Sequence, residues 1–473
     1  MMRNAKITKH TACKGRIVIT LLLTLLTVAT AWAQETISGL TYNTAGGYYE
    51  IPNAAALNAL ATYVNAGHDA SGKTFKQTAD ITFSHNSDWN NSGSSESNFS
   101  GIGTADLYFK GSYYGQEHTI SGVRMSVWDQ RVGLFRNVNN ATIDGIVLAD
   151  SRITGYHYTG GIVGYTYTDG SSCIVSNCHV RSDVLIHVIG NDEVKDHGGI
   201  AGYNGNGCVV TNCTSAVTMT GDSSCSFFGG IVGNNGGTAS NNIAIGVTIG
   251  NISASFGAIA GSSGNGVLNN NYYFDCTVQG RTSNIGWSGS DLTANNGAVN
   301  ASPDHFTASG DIFTIKSAVG WSVFRGALYH NDRYSRFSGK TVKLGTDIEV
   351  SSMAGTESYP FCGTFDGQGH TLTVSYANTD NNTYTAPFSH VDGATIQNLI
   401  VGGTITGTAY RAAGIIGETG STVSRITNCV SSVDISGGQY TGGFSIGGKV
   451  RIEGCVFNGK INMRHRESAT LRV

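Results

Sequence analysis

Four tyrosines are the side chains of this sequence that are best suited to hold a ligand. They are Tyr156, Tyr158, Tyr165 and Tyr167, in the stretch YHYTGGIVGYTYTDG, where they alternate on either side of a glycine pair. A tyrosine ring has a large apolar face and a polar tip, so rings in this arrangement could stack against a sugar. The other interpretation is structural, with the rings packed over the outer surface of the protein.

Acid–base chemistry has one candidate pair, Asp366 and His370 in FDGQGH. The related segment YYGQEH carries Tyr114 where the aspartate would be, although it keeps His118. A second carboxylate at the separation that glycosidases need cannot be recognised from the spacing. We therefore interpret FDGQGH as a corner turn and predict no catalytic residue.

The sequence contains weak candidates for a metal-binding site and for a phosphate-binding loop. The loop GNDEVKDHGG offers oxygen ligands for calcium in Asp192, Glu193 and Asp196, beside His197, but its spacing fits no established calcium loop. A solvated loop is favoured there, and calcium binding stays open. The stretch SGKT occurs twice: no glycine stands five residues before Gly339, and the copy at Ser71–Thr74 leads into a strand where a phosphate-binding loop needs a helix. HExxH and paired CxxC motifs are absent, so the sequence predicts no metal site and no cofactor.

The elements that position these residues follow from an internal repeat. GGIVGYTYTDGSSCIVSNCHV begins at Gly160 and returns as GGIAGYNGNGCVVTNCTSAV from Gly198; related units begin at Gly229, Gly257, Ala413 and Gly442. Units of this length, built from short alternating stretches such as CIVS and CVVT, are typical of a solenoid in which each turn buries its apolar face against its neighbours. The 65 glycines and 4 prolines of the 473 residues also favour an all-β chain.

Two residue types should form the corners of the coil. The glycine pairs are expected to adopt positive φ and to let one backbone pass close to the next. Asparagine tolerates the left-handed region, and it recurs at a matching position after each strand-like stretch. These asparagines are Asn177, Asn212, Asn241, Asn270 and Asn428.

The GGIVGY…SNC units resemble the GLUG motif of large bacterial surface and secreted proteins, with Ile or Phe in place of the Leu. The segments FCGTFDGQGHTL and ATIQNLIVGGTITG resemble the β-helix turns that precede such motifs. The resemblance implies a right-handed parallel β-helix and a loose association with adhesion and surface display. It supplies no catalytic motif.

A longer repeat divides the chain. GKTFKQTADITF, YFKGSYYGQEHTI and NATIDGIVLADSRITG return as GKTVKLGTDIEV, PFCGTFDGQGHTL and GATIQNLIVGGTITG. The sequence therefore predicts two tandem modules, each with a small N-terminal cap. We place the first module's N-terminal segment and cap at 34–100, its GLUG-like turns at 101–280, a linker at 281–310, the second cap at 311–350 and a second, shorter module at 351–473. NAAALNALATYVNA should form a helix with Asn53 as its N-cap.

The ends of the chain carry two further expectations. Residues 1–33 have the basic start, apolar run and Ala31-Trp32-Ala33 site of a secretory signal peptide; an uncleaved anchor is the alternative, but the run is short for a membrane span. The final stretch NMRHRESATLRV is basic and breaks the repeat. We expect either that the second module is truncated or that its end pairs with another molecule.

Cysteines provide a test of the coil's register. CIVSNC and CVVTNC align residue for residue, so Cys173 should lie over Cys208, and Cys178 over Cys213, at about 4.8 Å. Cys429 and Cys455 would form the same ladder near the C-terminus. Either disulfides or small buried thiols would satisfy this arrangement, and mild oxidation during refolding should link these pairs in preference to others.

Net charge and composition limit the classes of function that are expected for this protein. Removing the five basic residues of 1–33 changes the formal net charge from −3 to −8, which argues against a nucleic-acid binder. The sequence predicts a non-catalytic secreted or cell-surface protein that binds a glycan, a host protein or a cell-envelope protein, with no membrane span after cleavage. The alternative is a carbohydrate-active enzyme, a polysaccharide lyase or hydrolase, on the same scaffold.

Overall fold

The computed structural model describes residues 35–85, 89, 96–127, 130–190, 195–222, 225–250, 255–263, 265–282, 298–330, 334–378, 384–407, 411–437 and 439–462. The chain is all-β, about 7% helical, and forms a parallel β-solenoid of about 13 turns, as the repeat predicted. The predicted signal peptide, Asp192, Glu193, half of the predicted linker and the stretch after residue 462 lie outside the described residues.

Five sheets use the strands up to residue 300. Sheet 1 has nine strands: Thr41–Asn43, Tyr48–Ile51, Thr74–Gln77, Ser112–Tyr114, Thr142–Asp144, Cys173–Ser176, Cys208–Thr211, Thr238–Ser240 and Val267–Asn269. Sheet 2 has eight: Ile81–Thr82, Thr119–Ser121, Val147–Ala149, His179–Val180, Thr214–Ser215, Ile243–Ile245, Asn271–Phe274 and Ala298–Asn300. Sheet 3 has six: Arg124–Ser126, Ser151–Gly155, Val184–Val188, Thr218–Gly221, Thr248–Ile249 and Thr277–Val278. Sheet 4 has four: Thr159–Gly160, Lys195–Gly198, Ser226–Gly229 and Phe256–Gly257. Sheet 5 has five: Phe135–Asn139, Val163–Tyr167, Ala201–Asn204, Val232–Asn235 and Ala260–Ser262.

Four sheets use the strands that follow. Sheet 6 has seven: Phe306–Ser309, Ile312–Ile315, Thr341–Leu344, Thr364–Asp366, Thr395–Gln397, Ser424–Thr427 and Val450–Glu453. Sheet 7 has six: Ile348–Val350, Thr371–Asn378, Ile400–Gly407, Val430–Ser436, Val456–Phe457 and Ile461–Asn462. Sheet 8 has three, Tyr384–Thr385, Arg411–Ala413 and Tyr440–Gly442; sheet 9 has two, Phe388–Val391 and Ile416–Thr419. Among the described residues, no strand of sheets 1–5 pairs with a strand of sheets 6–9.

Alternation within each strand explains the stacking. In Cys173–Ser176 the first and third side chains are buried and the other two are half-buried, and Cys208–Thr211 repeats this pattern. The two strands pair in parallel with Cys173 opposite Cys208 and Val175 opposite Val210. Identical positions therefore stack from turn to turn and fill the interior with ladders of similar side chains.

The asparagine corners are confirmed. Asn177, Asn212, Asn241, Asn270 and Asn428 all have φ between 51° and 56°. Such a conformation is uncommon for residues other than glycine, and asparagine is among those that adopt it most readily.

The prediction for the glycine pairs was half wrong. Gly198 and Gly229 are not among the residues with positive φ; the left-handed residues are Tyr158, Asp196 and Phe227, each two positions before a pair. The close approach of backbones was right, because a Cβ on Gly198 would lie 2.0 Å from the carbonyl oxygen of Ala201. Glycine is needed at these positions because there is no room for a Cβ, and the left-handed turn is made by the larger residue two positions earlier.

Two helices accompany two antiparallel strand pairs. Helix α1, Ala54–Asn65, follows the antiparallel pair at the start of sheet 1, and the Asn53 side chain accepts a hydrogen bond from the Ala56 amide at 3.0 Å, as predicted. Helix α2, Ala318–Leu328, follows the antiparallel pair of sheet 6 and is capped by Ser317. A short 3₁₀ helix spans Ser335–Phe337. An antiparallel strand at the end of a parallel sheet stops the parallel pairing, which protects the edge.

Helix α2 joins the two sets of sheets through apolar contacts. Ile243, Ile245 and Phe274 of sheet 2 belong to the same buried cluster as Trp321 and Phe324 of the helix. The strands of residues 306–462 therefore lie against the flank of sheet 2.

The predicted cysteine ladder is confirmed in its spacing. Cys173 and Cys208 are direct register partners, and the Cys429 amide donates to the Cys455 sulfur at 3.4 Å. The nine cysteines within the described residues are free thiols. A hydrogen bond with Cys208 raises the pKa of the Cys173 thiol, and burial acts in the same direction. The preferred oxidative links between these pairs remain a prediction.

Candidate functional site

The predicted tyrosines are partly brought together on sheets 4 and 5. The rings of Tyr158 and Tyr165 meet edge to face at 5.1 Å, and Tyr167, 42% exposed, lies 6.3 Å from Tyr108. Tyr156 does not join them: it packs against the apolar core and against His157 at 4.6 Å. Three of the four predicted residues therefore share one surface.

Three residues that were not predicted complete this surface: Tyr108 beside Tyr167, and Tyr203 and Arg131 on either side of Tyr165. Tyr203 stacks on Tyr165 with centroids 4.8 Å apart and planes 11° apart, because the two are direct register partners in neighbouring turns. The guanidinium of Arg131, from the preceding turn, lies 4.5 Å from the Tyr165 centroid. Alignment of GGIVGY with GGIAGY would have identified Tyr203. We call Tyr108, Tyr158, Tyr165, Tyr167, Tyr203 and Arg131 the tyrosine cluster.

The rings of Tyr158, Tyr165 and Tyr203 are half-buried. Burial raises the pKa of Tyr165 to about 12 and also raises the pKa values of Tyr158 and Tyr203. In the column of register partners, Tyr203 is followed by Asn234 and then Ser262. An aromatic platform is thus continued by small polar side chains along the solenoid axis.

The described part of the calcium candidate points inward. His197 is fully buried, its ring packs on Phe228 at 4.8 Å, and neither of its nitrogens has a hydrogen-bond partner. Burial lowers the pKa of His197 to about 3. Asp196 is also buried and holds the left-handed corner. Asp192 and Glu193 lie outside the described residues.

Asp366 and His370 are occupied by corner hydrogen bonds. Asp366 accepts from the Gln368 amide at 3.0 Å and from the Asn398 side chain at 3.1 Å, and His370 pairs with Asp347 at 3.2 Å. The other copy repeats this ion pair between His118 and Asp80 at 3.4 Å. The aspartate that serves each histidine comes from the TADI or GTDI stretch, a relation that the sequence analysis missed.

The SGKT lysines make ion pairs. Lys73 lies 2.9 Å from Glu35, and Lys340 lies 2.7 Å from Asp311. Each pair ties the start of a strand to an antiparallel pair: Glu35 precedes the pair of sheet 1, and Asp311 lies in the turn of the pair of sheet 6. Their contacts are those of structural ion pairs.

A cleft of about 780 Å³ lies where sheets 1 and 2 face the residues after α2. Tyrosines contribute to both of its walls: Tyr48 and Tyr114 on one side, and Tyr329, Tyr359, Tyr376 and Tyr384 on the other. Charged and titratable residues alternate with them: Glu117, His118, Asp144, Arg325, Glu357 and His390. Among the described residues, its aliphatic lining is Leu328, Met353 and Ala377.

Hydrogen bonds across the cleft fix the distance between its walls. The Tyr329 hydroxyl donates to Glu117 Oε2 at 3.1 Å, and the hydroxyls of Thr119 and Tyr359 are 2.6 Å apart. Tyr329 also stacks on His179, with centroids 3.9 Å apart. Contacts between residues so far apart in the chain explain why this cleft could not be predicted from local sequence patterns.

Glu117 dominates the electrostatics of the cleft. Burial raises the pKa of its carboxyl, the nearby Arg325 guanidinium and the bond from Tyr329 oppose that shift, and the Asp144 charge adds to it. Asp144 accepts hydrogen bonds from the Ser176 hydroxyl and the Asn177 amide, both at 2.7 Å.

No family model, curated protein or solved structure matches this chain. Its interpretation therefore depends on the geometry alone. Within the described ranges, no group of three or more His, Cys, Asp or Glu residues could hold a metal ion. The helices of the described part are too short or too polar to cross a bilayer.

Proposed function

We propose that this chain is a non-catalytic, secreted or cell-surface β-solenoid protein that binds glycans through the tyrosine cluster. The observation that carries the proposal is the stacked pair Tyr165 and Tyr203, with Arg131 over the first ring. Aromatic faces beside hydroxyl and amide groups match the apolar faces and hydroxyl rim of a sugar ring.

The geometry indicates where the sugar would lie. Arg131 belongs to the turn before Tyr165 and Tyr203 to the turn after it, so the Tyr165 ring lies between them. The free face of Tyr203 points toward the turn of Asn234. A sugar ring stacked there could hydrogen-bond to Asn234, and the next sugar would reach Ser262.

The GLUG-like units, a right-handed coil and display at a bacterial surface belong to the same proposal. So does a layout of two tandem capped modules, which is supported by the repeated ion pairs Asp80–His118 and Asp347–His370 and by the repeated order of antiparallel pair and helix. Glycan or cell-envelope partners would then meet the outer face of the first module.

A glycan array tests the proposal. The chain from Gln34 onward should be retained on at least one glycan, and the double variant Tyr165→Ala/Tyr203→Ala should lose about tenfold or more of that affinity. Tyr440→Ala, an exposed tyrosine elsewhere on the solenoid, is the matched control. Equal retention of parent and double variant would overturn the role of the cluster, and cleavage of the bound glycan would overturn the non-catalytic assignment.

A further inference from the structure

One corner of the solenoid occurs in two copies, and the copy that lines the cleft differs from the other in its side chains. In the C-terminal copy the corner reads DGQGH, with Gln368 at φ 52° and Gly369 at φ 80°. In the N-terminal copy it reads YGQEH, with Gln116 at φ 53° and Glu117 at φ 60°. The two backbones therefore turn alike, but a glutamate stands where the conformation favours glycine.

A glutamate in the left-handed region costs free energy that glycine avoids. The corner itself does not need a side chain, since at the equivalent Gly369 an added Cβ would meet nothing within 4 Å; what Glu117 gains is the hydrogen bond from Tyr329 across the cleft. The departure from the repeat puts a carboxylate into the cleft, beside Asp144 and Arg325. Strain that persists at a ligand-accessible position is a reason to look for function there.

A second departure from the same repeat also lines the cleft. Tyr114 replaces Asp366, whose carboxylate supports the corner by accepting from Gln368 and Asn398. In the N-terminal copy that support is given up and an aromatic ring faces the cleft instead. Both differences lower the local stability of the corner, and both place in the cleft a side chain that can contact a ligand.

The lining chemistry identifies the class of ligand. Six tyrosines supply ring faces, and carboxylates, amides and hydroxyls supply hydrogen-bonding groups between them. An apolar ligand would leave these polar groups without partners. An anionic ligand would meet the carboxylates of Glu117, Asp144 and Glu357 against the single guanidinium of Arg325.

We infer that the cleft is a second binding site, separate from the tyrosine cluster, for a neutral oligosaccharide, with Glu117 and Tyr114 as its principal contacts on one wall and Tyr384 on the other. The volume of about 780 Å³ lies within the range of small-molecule sites. The hydrogen bonds from Tyr329 to Glu117 and between Thr119 and Tyr359 hold the walls before a ligand arrives, so little ordering opposes binding.

Titration calorimetry with neutral gluco-, xylo-, manno- and galacto-oligosaccharides of several units tests this inference, with an oligogalacturonate as the acidic probe. At least one neutral oligosaccharide should bind the chain from Gln34 onward, and the acidic probe should bind more weakly. Glu117→Gly installs the residue of the other copy and so should fold at least as well as the parent. This variant and Tyr114→Ala should each weaken binding by about tenfold.

The controls separate this site from the tyrosine cluster. Tyr440→Ala and the double variant Tyr165→Ala/Tyr203→Ala should both keep the cleft's affinity within about twofold. Failure of the cluster on the array thus leaves the cleft test intact. The inference is overturned if no neutral oligosaccharide binds, if the oligogalacturonate binds more tightly, or if Glu117→Gly and Tyr114→Ala bind as the parent does.

Discussion

The corner at residues 114–118 and the corner at residues 366–370 share one backbone path but carry different side chains. Both are anchored by an aspartate and histidine pair, Asp80 with His118 and Asp347 with His370. The second corner is exposed and built from residues that favour its geometry, whereas the first lines a cleft and carries Tyr114 and Glu117. The difference shows that the repeat supplies the scaffold and that departures from the repeat mark the places where a ligand is expected.

The same contrast is present in the glycine-pair columns. Gly160, Gly198 and Gly229 stack in successive turns, whereas among the later units Ala413 takes the aligned position and is followed by Gly442. A Cβ on Gly198 would also lie 2.7 Å from the Gly233 amide, so its own turn and the next turn both restrict it. The earlier turns are packed too closely at this corner for any side chain.

Gly198→Ala should therefore give the largest effect, a loss of about 3 kcal/mol in the free energy of unfolding, because a methyl group must displace backbone. Gly402→Ala is the matched control: Gly402 has open space around its Cβ position and no positive φ, and its change should be neutral or slightly stabilising. Urea unfolding of both variants measures this. Equal stability of the two would show that the corner can relax.

Acid sensitivity should also be concentrated in the earlier turns. Burial lowers the pKa values of His179 and His197 to about 3, below the value of about 6.5 expected in the unfolded chain. The unfolded state then binds more protons, so stability is complete above pH 6.5 and falls as the pH drops from 6.5 toward 3. At pH 5.5 each histidine should cost about 1.4 kcal/mol, while the raised pKa of Glu117 acts in the opposite direction.

His197→Phe sharpens this prediction, because Phe228 and Phe256 already occupy the same column. The variant should remove about half of the histidine-dependent loss between pH 7.5 and 5.5, and hydrogen exchange at pH 5.5 should show stronger protection in sheets 4 and 5. An unchanged pH dependence would mean that His197 is hydrated or paired in solution.

Much of the scaffold could be predicted from the sequence because a solenoid repeats its local rules. The asparagine corners, the cysteine ladder and helix α1 each follow from residues close together in the chain. Helix α2 was not foreseen, since Gly320 and Gly326 lower its helix propensity. Both glycines are required by close approach, to the His305 carbonyl oxygen at 2.0 Å and to Ile245 at 2.7 Å from the Cβ position.

The sites were less predictable than the scaffold. Tyr158, Tyr165 and Tyr167 could be found as aromatic residues beside a corner, but the packing of Tyr156 depends on the core. The cleft depends on contacts such as Thr119 with Tyr359, whose residues are 240 positions apart. Local sequence patterns do not encode how one stretch of the solenoid packs against another. The presence of Glu117 at the position equivalent to Gly369 was visible in the repeat.

Exchanging the residues of the two corners tests their backbone equivalence directly. Glu117→Gly should stabilise the chain by up to about 1 kcal/mol, because the left-handed strain and the carboxylate burial that it removes outweigh the lost hydrogen bond from Tyr329. Gly369→Glu should destabilise it by about the same amount, since φ is 80° there and the side chain gains no contact. Thermal unfolding of the two variants and of the double exchange measures this. Two changes of the same sign would contradict the equivalence of the corners.

The smallest expected effect concerns the aspartates beneath the two corners. Asp80 and Asp347 each accept from the backbone amide after the histidine, Thr119 or Thr371, at 2.8 Å. Asp80, unlike Asp347, also accepts a hydrogen bond from the Ser358 hydroxyl at 3.2 Å, and Ser358 lies on the opposite wall of the cleft.

Asp80→Asn should therefore destabilise the chain more than Asp347→Asn, and the excess should disappear in a Ser358→Ala background. This coupling should be below about 1 kcal/mol, because the hydrogen bond is solvent-exposed. A double-mutant cycle on urea midpoints measures it, and Asp347→Asn in the same background serves as the control. Zero coupling would mean that the edge of the cleft near Ser358 is open in solution and that the walls are held by Glu117, Tyr329 and Tyr359 alone. A clear coupling would extend the preformed part of the cleft from the buried corner at Glu117 to its exposed edge.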